Sequence, residues 1–193
     1  MGVPVIWING PFGVGKTHTA AHLQERVSGS FLFDPEELGF TLQHLTPGSS
    51  GDFQRHPLWV PFVLDALEHA ARTAEGPVIV PMTVTDLTRH AALMGGLRNR
   101  GLSVHHFTLL APPDVIHSRL RRRAQGRQSW AGRQVEARLS DLKHPAFATH
   151  LNTGELRIGQ VAQIIAARAG LTLAPEKRDP LRWFRVTTRR FLR

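Results

Sequence analysis

Short apolar runs alternate with longer amphipathic segments along most of this chain. The apolar runs are rich in β-branched residues and too short for typical helices, a pattern that indicates strands buried on both faces of a parallel sheet. The predicted strands cover residues 3–9, 30–33, 78–80, 103–110 and 148–152, the last being the weakest.

The segments between these strands have the periodicity of helices. We predict helices at 16–27, from 35 to a point before Pro47, and at 57–74, 86–99, 113–123, 131–142 and 159–169. This alternation predicts a three-layer α/β fold with a five-stranded parallel sheet. We assign residues 1–175 to one domain and residues 176–193 to a separate C-terminal helix.

Residues 10–17 read G-P-F-G-V-G-K-T and fit the phosphate-loop pattern G-x-x-x-x-G-K-[ST]. A strand in front and a helix behind point backbone N–H groups at one spot, which suits a phosphate group. We predict that Lys16 binds the terminal phosphates of ATP and that Thr17 ligates the accompanying Mg²⁺. The predicted nucleotide contacts in this segment are Gly10, Gly13, Val14, Gly15, Lys16, Thr17 and His18.

The formal net charge of +9 would ordinarily indicate a nucleic-acid partner. The excess is concentrated in two segments, however. Residues 119–138 contain seven arginines and one acidic residue, and residues 176–193 contain seven lysines or arginines and two acidic residues. The rest of the chain has no positive excess, so we expect no nucleic-acid partner. The absence of cysteine excludes disulfides and thiolate metal sites.

An arginine-rich segment, residues 119–135, separates the fourth and fifth predicted strands and is a candidate lid. On a continuous helix Arg119, Arg122 and Arg123 share one face, and Arg127 follows beyond a glycine. Such arginines can stabilise a transferring phosphoryl group or stack on adenine. We predict such roles for Arg119, Arg123 and Arg127; a solvated basic face or an RNA contact is the alternative. Thr153, after the fifth strand, is the predicted adenine neighbour.

An acidic residue, Asp34, follows the second predicted strand. It could activate a substrate hydroxyl or help to hold Mg²⁺, and it could equally be the N-cap of the helix that begins at Pro35. The third strand ends without the acid that many phosphate-loop enzymes carry there. The predicted metal ligands are therefore Thr17 and Asp34. Asp86 is better explained as a helix cap.

The C-terminal residues 180–193 are basic, aromatic and amphipathic if helical. This pattern is typical of a helix at an anionic membrane surface, and a helix packed on its own domain is the alternative. The chain begins directly on the first predicted strand, and no apolar run approaches the roughly 20 residues that span a bilayer. We therefore expect a cytoplasmic protein that this helix would attach to the inner face of the membrane.

Several short motifs occur together in a characteristic order. They are Trp7-Ile8-Asn9-Gly10, Asp34-Pro35-Glu36 with Gly39-Phe40, Asp52-Phe53-Gln54 with Pro57 and Trp59, Val80-Pro81-Met82-Thr83, His105-His106-Phe107-Thr108-Leu109-Leu110 and Ser129-Trp130. In these motifs residues 3–170 resemble the tunicamycin-resistance proteins. The arrangement of helix and lid segments also resembles P-loop kinases of the nucleoside-monophosphate type.

This resemblance implies an ATP-binding protein that protects a bacterium from a fatty-acylated uridine nucleoside antibiotic. The expected substrate contacts are five residues of these motifs and the residue that follows Gln54; they are Asp34, Phe40, Asp52, Gln54, Arg55 and Thr83. A solvated loop is the alternative for Asp52, Gln54 and Arg55. Protection could come from phosphorylating a hydroxyl of the drug or from binding the drug without chemistry; a nucleotide-dependent nucleic-acid binder is a third hypothesis.

Overall fold

A five-stranded parallel sheet with strand order β2-β3-β1-β4-β5 forms the centre of the protein. The structure is a computed structural model that describes residues 2–47, 51–123 and 125–176. The strands are β1 (Val5–Asn9), β2 (Phe31–Leu32), β3 (Val78–Pro81), β4 (Val104–Leu110) and β5 (His150–Asn152). The prediction of a five-stranded parallel α/β sheet is confirmed.

Eight α-helices connect and follow the strands in the described part of the chain. They are α1 (Lys16–Arg26), α2 (Pro35–Leu45), α3 (Trp59–Thr73), α4 (Leu87–Asn99), α5 (Pro113–Arg121), α6 (Trp130–Arg133), α7 (Val135–Leu142) and α8 (Ile158–Arg168). Two short 3-10 turns lie at Phe53–Arg55 and Pro145–Phe147. The helix predicted for 113–123 ends at Arg121, and the helix predicted for 131–142 is divided in two at Gln134.

The central strand β1 is buried along its whole length and contributes to a core on each face of the sheet. Its alternate residues Ile6 and Ile8 pack with α1, α5, α7 and α8, whereas Val5 and Trp7 pack with α3 and α4. A strand buried on both faces cannot show polar alternation, which explains why β1 is apolar from Val5 to Ile8. The two helical layers confirm the predicted three-layer architecture.

The segment after α8 returns to α1. Arg26 Nε donates to the carbonyl of Ala174 at 2.7 Å, and the Ala174 amide donates to the carbonyl of Arg26 at 2.7 Å. The helix predicted for residues 180–193 lies outside the described residues. None of the helices in the described ranges combines the length and apolar character needed to cross a bilayer.

A buried histidine pair joins α4 to β4. His106 Nδ1 lies 3.0 Å from the carbonyl of Ala148, and its Nε2 lies 3.3 Å from Nε2 of His90. Because a carbonyl only accepts, His106 carries its proton on Nδ1 and His90 donates to its Nε2. Burial lowers the pKa of His106 to about 4; the Ala148 carbonyl opposes this shift, while His90, Arg98 and His150 reinforce it.

This pair predicts a loss of stability in acid. Protonated His106 would turn a second N–H toward the N–H of His90, and the unfolded chain takes up that proton at the ordinary pKa of 6.5. The stability that neutral His106 contributes to the folded protein is therefore complete above pH 6.5 and is lost as the pH falls toward 4. Between pH 7 and pH 5 we expect the free energy of unfolding to fall by about 2 kcal/mol from this residue.

Urea unfolding at both pH values checks this expectation. The His106→Gln variant should lose less stability than the wild-type protein over the same interval, whereas His69→Gln, at an exposed position, should behave like the wild type. An equal acid-induced loss in the His106→Gln and wild-type proteins would contradict the role of the pair.

Candidate functional site

The phosphate loop (residues 10–17) joins the end of β1 to the start of α1. Gly13 has φ 79°, and Gly15, which precedes α1, has φ 114°. Gly10 has φ 145°, and a Cβ atom there would lie 2.7 Å from the carbonyl oxygen of Leu109. Glycine is therefore required at these positions for backbone conformation or for close approach to β4. The loop has the strand-turn-helix context that the motif needs.

Lys16 is held by the loop to which it belongs. Its ammonium group donates to the carbonyls of Gly10 at 2.8 Å and Pro11 at 3.1 Å, and the side chain is 9% exposed. The ring of Phe12 lies 5.7 Å from the ammonium nitrogen, within the range of a cation–π contact. Neutral carbonyls hold a cation more weakly than phosphate does, so an incoming phosphate can displace them.

A small depression opens beside this lysine. It is lined by Phe12, Gly13, Gly15, Lys16, Thr17 and Arg123. The structure therefore brings the predicted metal ligand Thr17 and one predicted lid arginine, Arg123, to the predicted phosphate residues. A hydroxyl, an ammonium and a guanidinium around one concave surface are suited to a polyphosphate.

His18 follows Thr17 on the first turn of α1. Burial, with a smaller contribution from the positive charge of Arg123, lowers its pKa to about 4. His18 is therefore neutral near pH 7 and adds no positive charge to the depression. Its contact with the nucleotide remains a prediction.

Arg119, on α5, connects the phosphate loop to the end of β5. Its guanidinium donates to the carbonyl of Val14 at 3.0 Å and to the carbonyl of Thr153 at 2.8 Å. Burial and the nearby charge of Arg122 lower its pKa. Arg119 and Thr153, both predicted nucleotide contacts, thus lie together, and Arg119 reaches the backbone of the loop itself.

The other arginines of the predicted lid follow the end of α5. Because α5 ends at Arg121, Arg122 and Arg123 lie in the turn that follows. Arg123 reaches the depression, whereas Arg122 and Arg127 are exposed. The predicted helix therefore ends two residues earlier than expected, and Arg123 lines the depression from the turn after it. The catalytic role of Arg127 remains a prediction.

A second contact between lid and phosphate loop is aromatic. The rings of Phe12 and Trp130 meet edge to face with their centroids 4.9 Å apart, although Trp130 remains 58% exposed. Ser129 caps the short helix α6 that carries Trp130 by accepting from the amide of Gly132. The sequence placed Ser129-Trp130 in a motif but gave no signal for this contact.

Asn9 fixes the loop to the end of β3 and is fully buried. Its side-chain oxygen accepts from the amides of Gly10 at 2.8 Å and Val84 at 3.0 Å, and its amide nitrogen donates to the carbonyl of Val84 at 2.8 Å. Thr83 adds a hydrogen bond from its hydroxyl to the carbonyl of Gly10 at 2.8 Å. Asn9 belongs to the motif that leads into the loop, but no sequence pattern indicated that its side chain organises the site.

Of the predicted substrate residues, Gln54 and Thr83 lie together beside the phosphate loop, whereas Arg55 and Phe40 are exposed. Gln54 donates to the carbonyl of Thr83 at 2.9 Å, so these two meet beside the phosphate loop. Arg55 is exposed. Phe40 is half-exposed, and its ring packs on Phe53 with centroids 5.4 Å apart. Contact of any of these residues with a substrate remains a prediction.

Both candidate acids act as caps. The Asp34 carboxylate accepts from the amide of Glu36 at 3.0 Å at the start of α2, and Asp52 accepts from the amide of Gln54 at 3.0 Å. A carboxylate can accept several hydrogen bonds, so capping is compatible with a second role for Asp34. Asp86 caps α4, as expected. Within the described ranges, no group of three His, Asp or Glu side chains is placed to hold a metal ion together.

Comparison with known proteins agrees with this architecture. The family model described as an AAA domain matches residues 5–145. The solved structure of the Deinococcus radiodurans tunicamycin resistance protein is 54% identical, covers 90% of this chain and 99% of its own, and has a TM-score of 0.80. No curated protein sequence matches the chain.

More distant structures share the fold. A gluconokinase from Sinorhizobium meliloti 1021 is 14% identical with a TM-score of 0.63, covering 86% of this chain and 91% of its own. A shikimate kinase from Bacteroides thetaiotaomicron is 19% identical with a TM-score of 0.56, covering 87% and 99%. The family implies nucleotide binding at the phosphate loop. The chain therefore belongs to the AAA-domain family of P-loop proteins and, within it, to the tunicamycin resistance proteins.

Proposed function

We propose that this protein transfers the γ-phosphoryl group of ATP to a hydroxyl of tunicamycin or a related nucleoside. The observation that carries the proposal is the depression in which Lys16, Thr17 and Arg123 meet. The 54% identity to a protein named for tunicamycin resistance supports the choice of acceptor. The kinase folds of the more distant structures support the architecture alone.

The residues present fit Mg·ATP. Thr17, which lines the depression, and Asp34, at the start of α2, are the proposed oxygen ligands of Mg²⁺, which usually takes few protein ligands and completes its shell with phosphate oxygens and water. Lys16 would exchange its two carbonyl partners for phosphate oxygens. Arg119 and Thr153 would border the adenine. Bound Mg·ATP would supply the phosphoryl group and the metal that neutralises its charge.

The chain's own part in the transfer is positioning and charge stabilisation. Lys16 and Arg123 would hold the oxygens of the transferring group, whose negative charge is spread over three atoms. The acceptor hydroxyl oxygen would bond to the γ-phosphorus while the bond from that phosphorus to the β-γ bridging oxygen breaks and ADP leaves. Asp34 would accept the hydroxyl proton. Removing such a base need not abolish the reaction, because phosphoryl transfer needs little proton transfer at its transition state.

A second function, binding of the drug without chemistry, is favoured by one observation. β3 is followed by Met82 and Thr83 and not by the acid that many phosphate-loop enzymes carry there. ADP formation separates the two functions. A kinase should release ADP only when tunicamycin is present, one molecule for each drug molecule consumed. A sequestering protein should bind the drug in the presence of Mg·ATP and release none.

We also propose that residues 180–193, which lie outside the described part of the chain, attach the protein to anionic membrane. Each arginine near such a surface contributes about 1 kcal/mol, so binding should weaken as salt rises. Deleting residues 180–193 is expected to shift the protein from the pellet to the supernatant in sedimentation with phosphatidylserine vesicles. Neutral phosphatidylcholine vesicles provide the control, and an unchanged pellet fraction after the deletion would contradict the proposal.

A further inference from the structure

Helix α7 carries a guanidinium to the carboxyl-terminal edge of the sheet. Arg138 donates from Nη1 to the hydroxyl of Thr85, a residue that follows β3. The Nε–H of the same side chain is buried and has no hydrogen-bond partner among the described residues. A guanidinium has five N–H donors, and a buried donor without an acceptor is destabilising. Arg138 therefore has donor capacity that the described fold does not use.

The segment that receives Arg138 is fixed to the phosphate loop. Thr83 donates to the carbonyl of Gly10, the same carbonyl that accepts from Lys16, and Val84 is bound on both its backbone groups by Asn9. Successive residues of an extended chain are about 3.3 Å apart, so Thr85 lies within roughly 7 Å of Thr83. Arg138 is therefore near the phosphate loop, on the side of β3.

This segment is also contacted by a predicted substrate residue. Gln54, in the 3-10 turn that follows α2, donates to the carbonyl of Thr83 at 2.9 Å. The 3-10 turn and α7 therefore approach the segment 83–85 from two different parts of the chain. An acceptor that faces the γ-phosphate at this edge of the sheet would lie beside both side chains.

Arg138 differs from Arg72 and Arg100 in its charged neighbours. Arg100 forms ion pairs with Asp65 and Glu68, and Arg72 pairs with Glu68. No acidic side chain in the described ranges forms a salt bridge with Arg138, although the residue is half-buried. Partly buried cations usually have a partner, and here a ligand oxygen can provide it.

We propose that Arg138 is a specificity-determining residue that binds the phosphoryl acceptor by donating hydrogen bonds to its oxygen atoms. The carbonyl and hydroxyl oxygens of a nucleoside match the planar, forked donors of the guanidinium. Thr85 orients the group by accepting from Nη1, and the acceptor would receive hydrogen bonds from the remaining terminal N–H groups of the guanidinium. This role rests on the proposed function and deepens it, because it assigns the acceptor, and not ATP, to Arg138.

Calorimetric titration of the full-length protein with tunicamycin and, separately, with Mg·ATP tests this assignment. Arg138→Gln is expected to weaken tunicamycin binding at least tenfold and to leave ATP affinity within twofold of the wild type. Arg138→Lys keeps the positive charge but not the forked donors of the guanidinium, so its tunicamycin affinity should lie between those of the wild-type and Arg138→Gln proteins. Arg133→Gln is the matched control, because Arg133 is exposed and donates to the carbonyl of Gln128 at 2.8 Å.

Wild-type tunicamycin affinity in a folded Arg138→Gln variant would overturn the role of Arg138 while leaving the proposed function intact. Equal losses of tunicamycin and ATP affinity would also overturn it, because a merely structural residue would affect both ligands. A wild-type protein that binds ATP but no tunicamycin would overturn the proposed function together with this assignment. Should Arg138→Gln not fold, Thr85→Val and Arg138→Lys carry the same test, with the loss again confined to tunicamycin.

Discussion

Replacing Lys16 with alanine is expected to weaken ATP binding at least 100-fold, or about 3 kcal/mol. The loss should be large because a buried ammonium that contacts phosphate oxygens forms charge-assisted hydrogen bonds. In the free protein the Lys16 ammonium donates to the neutral carbonyls of Gly10 and Pro11, at 2.8 Å and 3.1 Å, and hydrogen bonds to neutral acceptors are weaker than those to phosphate. The substitution should therefore reduce ATP affinity much more than it reduces stability. Calorimetric titration with Mg·ATP measures the effect.

Lys143→Ala is the matched control, because Lys143 is exposed at the end of α7. This variant should bind ATP with wild-type affinity. Circular dichroism and thermal unfolding of both variants establish that each is folded. Unchanged ATP affinity in a folded Lys16→Ala protein would refute the assignment of the terminal phosphates to Lys16.

Replacing Asn9 with alanine is expected to lower the free energy of unfolding by about 3 kcal/mol or more. The substitution removes three buried hydrogen bonds and leaves the Gly10 amide and both backbone groups of Val84 without that partner. Each buried polar group that loses its partner costs about 1–3 kcal/mol. For a chain of this length, the melting temperature should fall by roughly 6–12 °C.

Asn152→Ala provides the comparison for this prediction. The Asn152 side chain accepts one hydrogen bond, from the amide of Gly154, and the residue is exposed. Its loss should cost less than about 1 kcal/mol. Urea unfolding measures both variants, and equal stabilities of the Asn9→Ala and Asn152→Ala proteins would show that Asn9 does not hold the phosphate loop to the end of β3.

The strands and the phosphate loop could be predicted because their signals are local. β1 up to Ile8 and the whole of β3 are apolar, since a central parallel strand is buried on both faces. The glycines of the loop satisfy backbone requirements within eight residues. The helix caps at Asp34 and Asp86 are local in the same sense. For Asp34 the pattern predicted the cap but left a chemical role open, because one carboxylate can cap a helix and also contact a metal ion or a substrate hydroxyl.

The remaining parts of the site depend on contacts between distant residues, for which a single sequence has no periodic signal. Asn9 binds Val84, 75 positions away, and Arg119 binds the carbonyl of Val14, 105 positions away. The lid arginines show a related difficulty. Their common face required a helix through Arg123, and α5 ends two residues earlier, so Arg123 reaches the depression from a turn.

The substrate side shows the same limit. Gln54 and Thr83 were predicted from their motifs as separate substrate contacts. In the structure Gln54 donates a hydrogen bond to the carbonyl of Thr83 beside the phosphate loop. Arg138 was one arginine of a basic segment in the sequence. Its contact with Thr85, after β3, depends on how α7 packs in the fold, and sequence periodicity does not specify that packing.

The mass of tunicamycin after incubation with the protein and Mg·ATP tests the central claim most directly. Phosphoryl transfer predicts that the drug gains the mass of one phosphoryl group in proportion to the ADP formed, and that the Lys16→Ala protein produces no such species. An unchanged drug mass when both ATP and drug saturate the wild-type protein would contradict phosphoryl transfer to tunicamycin.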